Sequence, residues 1–252
     1  MSHDTPHNSV APLRNVAALV ALIDRIQSRA PNLDGMGTFY GPSGFGKSTA
    51  AIYATNKFHA VTVQVKSVWT NKKLCQAILA ELAVPPAKTI GDMLDQISAH
   101  LAMTDRPLII DEADHLVRRN MIEIVRDIYE GSQAPVILIG EELLPQKLKA
   151  WERVHGRMLD WVPAQPGELG DVGHLARIYA PDIEITPALR KKLLEGSMHS
   201  IRRICVNLDR LREFAKIEGL RTVDVDHWGQ RGFDSGAAPE IRKFAEPMRR
   251  AI

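Results

Sequence analysis

Hydrophobic positions in the first two thirds of the chain follow two alternating patterns. Between Pro12 and Ala30, apolar residues recur every three or four positions, which predicts a helix with one buried face. Five short apolar runs follow, and helical patterns separate the first four: Met36–Tyr40, Ala60–Val65, Pro107–Ile110, Pro135–Ile139 and Met158–Val162. Because strands that alternate with helices form parallel sheets covered on both faces, we expect an α/β fold, a parallel sheet sandwiched by helices.

The pattern changes after Pro163. Residues 163–167 are rich in turn formers and predict a linker. Helical patterns then replace the β-branched runs, at Leu169–Tyr179, Pro187–Glu195, Ile201–Glu218 and Val223–Gln230. We therefore expect four parts: a disordered N-terminus (1–11), an α/β core (12–163), a small all-helical lid domain (167–231) and a basic C-terminal tail (232–252).

Composition narrows the class of protein. Of 252 residues, 45% are hydrophobic and 25% are charged, which is enough apolar material for a core and excludes disorder throughout. Cys75 and Cys205 lack the spacing of a zinc site or a disulfide framework, so we expect two buried thiols. No apolar run reaches 18 residues and no secretory signal pattern occurs, so we expect a cytoplasmic protein that does not bind membranes.

Charge is distributed unevenly along the chain. From Ile185 to Ile252 there are 14 Lys and Arg against 9 Asp and Glu, whereas the preceding 184 residues carry 18 against 21. Such a basic quarter fits either a contact with a polyanion or a solvated helical face. Composition alone leaves both interpretations open.

The most specific motif is GPSGFGKS at Gly41–Ser48, a complete G-x-x-x-x-G-K-[ST] between a predicted strand and a predicted helix. Glycines let backbone N–H groups surround a phosphate, and the helix N-terminus adds partial positive charge. Lys47 would place its ammonium against the outer phosphates, and Ser48 would offer a hydroxyl to Mg²⁺. The expected nucleotide contacts are Gly41, Pro42, Ser43, Gly44, Phe45, Gly46, Lys47, Ser48 and Thr49.

A second motif, LIIDEAD at 108–114, is an apolar strand that ends in adjacent acids. Asp111 would contribute to nucleotide binding by holding Mg²⁺ through water, and Glu112 would polarise the water that attacks the γ-phosphate, so we expect a hydrolase. The alternative is that both acids merely begin the next helix, where acids suit the helix dipole. Asp114 and His115 would cap that helix, which the pattern extends through residues 117–131.

Together, GPSGFGKST and LIIDEAD resemble the AAA+ branch of P-loop ATPases, and the resemblance covers most of the chain. Three further segments, VTVQVKSVWTNKKLCQAILAEL, VILIGEELLPQKL and DVDHWGQRGFDSGAAPEIRK, are similar to transposition helper ATPases, the group that contains Mu phage transposition protein B. The resemblance implies an ATPase with ATP and Mg²⁺ as ligands, acting in a bacterial cytoplasm. It also implies a helical filament or ring on double-stranded DNA that selects a target, independently of sequence, and activates a transposase.

The resemblance assigns three further roles. Glu141 follows the fourth strand, where the family has an Asn or Thr that senses the γ-phosphate. A carboxylate cannot donate a hydrogen bond, so Glu141 is either a departure from the family or simply a helix-start acid. The arginine that reaches a neighbouring subunit's nucleotide is expected to be Arg157, with Arg153 as the alternative. The lid arginine that contacts the γ-phosphate is expected to be Arg202, with Arg203 as the alternative.

DNA contacts are expected from the loop after the second strand and from two arginines after the acids. The residues are Lys66, Trp69, Thr70, Asn71, Lys72, Lys73, Arg118 and Arg119. Their cations, hydroxyl and amide suit phosphate contacts rather than base recognition. Thr70 is also typical of an N-cap, so an ordinary helix start is the alternative.

Two other functions remain open. A helicase-loading or replication-initiation ATPase would recruit another ring in place of a transposase, and a nucleotide-regulated signalling module would not bind nucleic acid. The tail cations would contact the transposase or belong to a disordered end; they are Arg242, Lys243, Arg249 and Arg250.

Overall fold

The computed structural model describes residues 13–236. The expectations for the N-terminus (1–11) and for the four tail cations lie outside the described residues. Within residues 13–236, no helix combines the length and the apolar character needed to cross a membrane.

The α/β core and the lid contain elements close to those predicted. The core comprises α1 (Arg14–Gln27), β1 (Met36–Tyr40), α2 (Lys47–Phe58), β2 (Val61–Gln64), α3 (Asn71–Glu81), α4 (Ile90–Thr104), β3 (Leu108–Asp111), α5 (Asp114–Arg118), α6 (Ile122–Ser132), β4 (Val136–Gly140), α7 (Leu144–Leu148), α8 (Glu152–His155) and β5 (Met158–Pro163). The lid comprises α9 (Leu169–Tyr179), β6 (Glu184–Ile185), α10 (Pro187–Gly196), α11 (Ile201–Glu218), β7 (Thr222–Val223) and α12 (Val225–Trp228).

The five core strands form one parallel sheet in the order β2-β3-β4-β1-β5. Alternate residues of β3 and β4 contribute to two separate apolar clusters, one on each face. Ile109 and Ile137 pack with α1, α2 and the lid, whereas Ile110 and Leu138 pack with helices α3 to α8. Burial on both faces is the arrangement expected of near-continuous apolar strands, and it confirms the predicted fold class.

The parallel arrangement decides where the functional segments lie. The loop at 41–46 follows β1, Asp111 and Glu112 lie at and just beyond the end of β3, Glu141 follows β4, and the loop at 65–70 follows β2. Since parallel strands end at the same edge of a sheet, all four segments meet at the carboxyl edge. Ligand sites of open α/β sheets form at this edge.

The single helix predicted over residues 117–131 is wrong. The structure ends α5 at Arg118 and begins α6 at Ile122. Asn120 between them has φ of +54°, a left-handed conformation that Asn tolerates better than most residues and that a continuous helix excludes. The apolar spacing continues across the break, which is why the sequence pattern does not reveal it.

The lid contains more than helices. Its strands β6 and β7 pair in parallel over two residues, and β7 occupies the start of the helix predicted at 223–230. The described part of the predicted tail also packs on the lid. Phe233 stacks on Trp228 with ring centroids 5.1 Å apart, and Asp234 N–H donates to the buried Asn207 at 2.7 Å. Residues 232–236 therefore extend the lid.

Candidate functional site

The loop between β1 and α2 has the conformation of a phosphate cradle. Gly44 and Gly46 have φ of +85° and +82°, which a side chain would strain, and a Cβ on Gly44 would lie 2.5 Å from Ser200 Oγ. Lys47 Nζ donates to the carbonyls of Gly41 (2.6 Å) and Pro42 (2.8 Å). The 12-residue helix α2 thus begins beside the position that a phosphate would occupy. The free N–H groups of its first turn point towards that position.

Burial affects the chemistry of Lys47. It lowers the pKa of the ammonium below the usual lysine value, and the nearby carboxylates of Asp111 and Glu112 offset part of that shift. Phosphate oxygens would add further negative charge beside the ammonium. Nucleotide binding should therefore favour the charged form of Lys47.

The predicted metal ligands lie side by side. Ser48 Oγ donates to Asp111 Oδ2 at 2.9 Å, at the point where α2 begins and β3 ends. A hydroxyl and a carboxylate are hard oxygen donors that suit Mg²⁺, which proteins hold through one or two such groups plus phosphate oxygens and water. No cluster of three or more His, Cys, Asp or Glu side chains that could hold a metal occurs among residues 13–236. These two residues therefore fit a metal that arrives with a nucleotide.

Glu112 lies beside Asp111 in the same cleft, which has a volume of about 380 Å³. Its backbone has φ of +57°, uncommon for a residue with a side chain, and its N–H donates to Asp111 Oδ1 at 2.9 Å. The alternative that both acids only begin a helix is wrong, because α5 begins at Asp114 and Asp111 is still in the strand. Both carboxylates are available to a ligand in the cleft.

The lid closes one side of the cleft. Arg202 N–H donates to Gly44 O at 3.0 Å and its guanidinium lies 3.4 Å from Ser43 Oγ. Arg203, the alternative, lies beside Gly236, where an added Cβ would be 2.5 Å from Arg203 Nε. Of the two predicted arginines, Arg202 is therefore the one that lines the cleft.

The sequence patterns missed several lid residues that line the cleft. They are Tyr179, Ile201, Cys205 and Val206. Cys205 is partly exposed there, so the expectation of two buried thiols holds for Cys75 alone, whose pKa burial raises to about 11. Cys205 follows Arg202 by three residues on α11, and helical spacing places such residues on one face. That spacing is the signal that could have identified it.

Asn15 on α1 is a second residue that the sequence patterns missed. Its side chain is buried, donates to the carbonyls of Phe45 and Gln165, and accepts from Gln165 N–H, with all three bonds at 2.8 Å. One amide therefore connects the phosphate loop to the linker between core and lid. Phe45, predicted as a nucleotide contact, has its carbonyl occupied by this bond.

The family comparison matches this part of the chain. Residues 31–148 match the AAA domain family. The match includes the phosphate loop, Asp111, Glu112 and the loop after β2, and it ends with α7. It supports the ATPase part of the resemblance drawn from the sequence. The comparison with curated protein sequences found no match.

Solved structures share the fold. The ORC1 protein of Aeropyrum pernix in complex with DNA aligns at a TM-score of 0.56 with 16% identity, covering 84% of this chain and 62% of that one. Cdc6p of Pyrobaculum aerophilum aligns at 0.60 with 13% identity, covering 88% and 65%. A mutant RuvB of Thermotoga maritima aligns at 0.58 with 18% identity, covering 84% and 66%. The chain spans less than two thirds of each, and identities this low support the fold alone.

Asp114 does not cap a helix, contrary to the sequence-based expectation, because the N-cap of α5 is Ala113. Asp114 is buried and accepts from Glu141 N–H and from Lys147 Nζ, both at 2.6 Å. These bonds join the start of α5 to the residue after β4 and to α7. The Glu141 side chain is 65% exposed, with a carboxylate oxygen 3.8 Å from Lys147 Nζ. An ionised carboxylate accepts hydrogen bonds but does not donate them, so Glu141 cannot itself donate a hydrogen bond to a phosphate.

Arg157 lies at the opposite edge of the sheet from the cleft. Its carbonyl accepts from Met36 N–H, at the start of β1, whereas the phosphate loop follows the end of that strand. Five strand residues separate the two edges by roughly 17 Å. The Arg157 guanidinium is ion-paired with Glu130 at 2.9 Å and with Asp34 at 3.6 Å. Arg157 is thus remote from its own nucleotide cleft, and any contact with a nucleotide has to be with that of another subunit.

The two predicted groups of DNA-contacting residues meet in space. Arg119 Nη1 donates to Ser67 O at 2.7 Å, which brings the end of α5 against the loop after β2. Thr70 caps α3 by accepting from Lys73 N–H, and Trp69 packs partly on the core, so these two have structural roles. Five exposed cations remain, and we call them the basic surface: Lys66, Lys72, Lys73, Arg118 and Arg119.

Proposed function

We propose that this chain binds and hydrolyses ATP and that its ATP-bound form assembles on double-stranded DNA. The observation that carries the proposal is the position of two features at one sheet edge. The nucleotide cleft and the basic surface both lie at the carboxyl ends of the parallel strands, and the segment after β3 contributes to each. The segment after β3 therefore connects the nucleotide cleft to the basic surface.

Hydrolysis follows from the groups in the cleft. The loop N–H groups and Lys47 hold the phosphates, and Arg202 reaches them from the lid. Glu112 orients a water molecule and accepts its proton as it attacks the γ-phosphate. Ser48 and Asp111 would hold Mg²⁺, which neutralises charge that develops on the phosphates. An arginine from a neighbouring copy, Arg157 or the exposed Arg153, would complete the site.

Hydrolysis should depend on assembly, because the completing arginine has to come from a neighbouring subunit. Since Arg157 is remote from its own cleft, a subunit on its own lacks that charge. Arginines of this kind contribute on the order of 10³ to 10⁵ in rate where they act. Hydrolysis should then depend on a ring or filament, and DNA that gathers subunits should stimulate it.

DNA binding would be electrostatic and independent of sequence. The basic surface presents lysine and arginine without an element shaped for a groove, so it suits phosphates. If each of its five cations neutralises one phosphate, the observed binding constant should fall with salt at a log–log slope of about −4.5 per subunit. The slope increases further when several subunits bind cooperatively.

We propose a transposition helper as the biological role, in which the assembled ATPase marks target DNA and activates a transposase. Its support is the similarity of the segments after β2 and β4 to that group. Replication initiation or helicase loading is the second candidate, favoured by the shared fold with Cdc6p and with an ORC1 protein solved on DNA.

The experiment is binding to random-sequence duplexes of increasing length with ATP, ADP or no nucleotide, followed by negative-stain microscopy. Continuous coating that requires ATP supports the helper. A single discrete complex per duplex, whatever its length, supports the loader. Lys47→Ala should abolish the ATP-dependent species in either case. ATP binding with no DNA binding under any condition would reject both roles in favour of a signalling module.

A further inference from the structure

The loop between β2 and α3 is bonded at two points to the segment that carries Glu112. Val65 N–H donates to Asp111 O at 3.0 Å, which continues the pairing of β2 with β3. Arg119 Nη1 donates to Ser67 O at 2.7 Å, beyond the end of both strands. The second bond joins the exposed tip of the loop to the far end of α5.

Helix α5 is a short, firmly held connection between Arg119 and Glu112. Arg119 N–H donates to His115 O at 3.2 Å, and His115 N–H donates to Glu112 O at 3.0 Å. Leu116 is fully buried, and the buried Asp114 is bonded to the residue after β4. Because these contacts hold α5 in place, a displacement of Arg119 should be transmitted along the helix to Glu112.

The backbone conformation of Glu112 is held by hydrogen bonds to adjacent residues. Its φ of +57° is in the left-handed region, and both its N–H and its carbonyl are bonded within the segment 111–115. Residues in such conformations persist only where surrounding contacts fix them. The direction of the Glu112 carboxylate is thus set by the same short segment to which Arg119 belongs.

We infer that Arg119 is a positioning residue that couples DNA on the basic surface to water activation by Glu112. The inference rests on the proposed DNA-stimulated ATPase. DNA phosphates bound by Lys66 and Lys72 would favour one position of the loop between β2 and α3. The hydrogen bond from Arg119 to Ser67 would then make α5 move together with that loop. The DNA contact then shifts the population of Glu112 towards the orientation that activates water.

The test is the steady-state ATPase rate at saturating ATP as random-sequence duplex is added. The variants are Arg119→Ala, Arg119→Lys and, as a matched control, Arg106→Ala. Arg106 is a partly exposed arginine that is also bonded to a carbonyl, that of His59 at 2.6 Å, but it precedes β3 at the opposite sheet edge. We expect Arg119→Ala to lower the maximal DNA-stimulated kcat about fivefold, a change that one hydrogen bond from a charged donor can carry.

Arg119→Lys should recover most of the maximum, since an ammonium can donate to the Ser67 carbonyl, and Arg106→Ala should match the wild type. If Arg119→Ala reaches the wild-type maximum at a higher DNA concentration, Arg119 is a phosphate contact only and the coupling is overturned. The same loss in Arg106→Ala overturns it too. If Arg119→Ala also loses ATP affinity, the lysine variant decides: recovery supports the coupling and no recovery overturns it. No stimulation of the wild type by DNA overturns both the coupling and the proposed function.

Discussion

Replacing Asn15 by Ala should loosen the phosphate loop from a distance. The side chain is 3% exposed and makes three hydrogen bonds, to one carbonyl of the loop and to both backbone groups of Gln165. Each such bond contributes about 1 kcal/mol net, so we expect a loss of about 3 kcal/mol in the free energy of unfolding. For a chain of this size that corresponds to a fall in Tm of roughly 6 to 12 °C.

Thermal unfolding followed by circular dichroism, with and without ATP, measures the effect. Asn15→Asp separates hydrogen bonding from filled volume, because a carboxylate can accept from Gln165 N–H but repels the two carbonyls, and it should cost at least as much. Asn56→Ala on the exposed side of α2 is the control and should change stability by less than about 0.5 kcal/mol. If Asn15→Ala is as mild as that control, the amide does not hold the loop.

Three further predictions concern turnover. Lys47→Ala should abolish ATP binding, since it removes the partly buried ammonium of the loop, and equilibrium titration with a fluorescent ATP analogue checks this; unchanged affinity would remove Lys47 from the site. Glu112→Gln should keep ATP affinity and lower kcat by at least about 100-fold, leaving long-lived DNA complexes, whereas equal turnover would reject Glu112 as the base. Arg157→Ala should suppress DNA-stimulated hydrolysis far more than ATP binding. Unchanged hydrolysis there, together with a loss in Arg153→Ala, would transfer the role to Arg153.

The parts that sequence could predict are those with local patterns. The phosphate loop, the acids after β3 and the strand–helix alternation each depend on residues that are close in the chain, so spacing alone identifies them. The break at Asn120 escaped because apolar spacing continues on both sides of it. The left-handed conformation of Asn120 ends one helix before the next begins, and the hydrophobic pattern does not indicate this conformation.

Contacts between distant segments could not be predicted from spacing. Asn15 bonds to residues 30 and 150 positions away, and a lone Asn in an amphipathic helix gives no sign of such partners. The bond from Arg119 to Ser67 spans 52 positions and unites two groups of cations that appear separate in the sequence. The ion pairs of Arg157 with Asp34 and Glu130 depend likewise on how β5 and α6 pack.

The most direct test of the central claim is the salt dependence of DNA binding in the presence of ATP. Wild type and the double variant Lys72→Ala/Lys73→Ala are titrated onto a random-sequence duplex at several salt concentrations, with binding in ADP as reference. We predict binding that needs ATP and a log–log slope that becomes about 1.8 less steep per subunit in the double variant, since two phosphate contacts are lost. An identical slope in both proteins, or equal binding in ATP and ADP, would contradict the account.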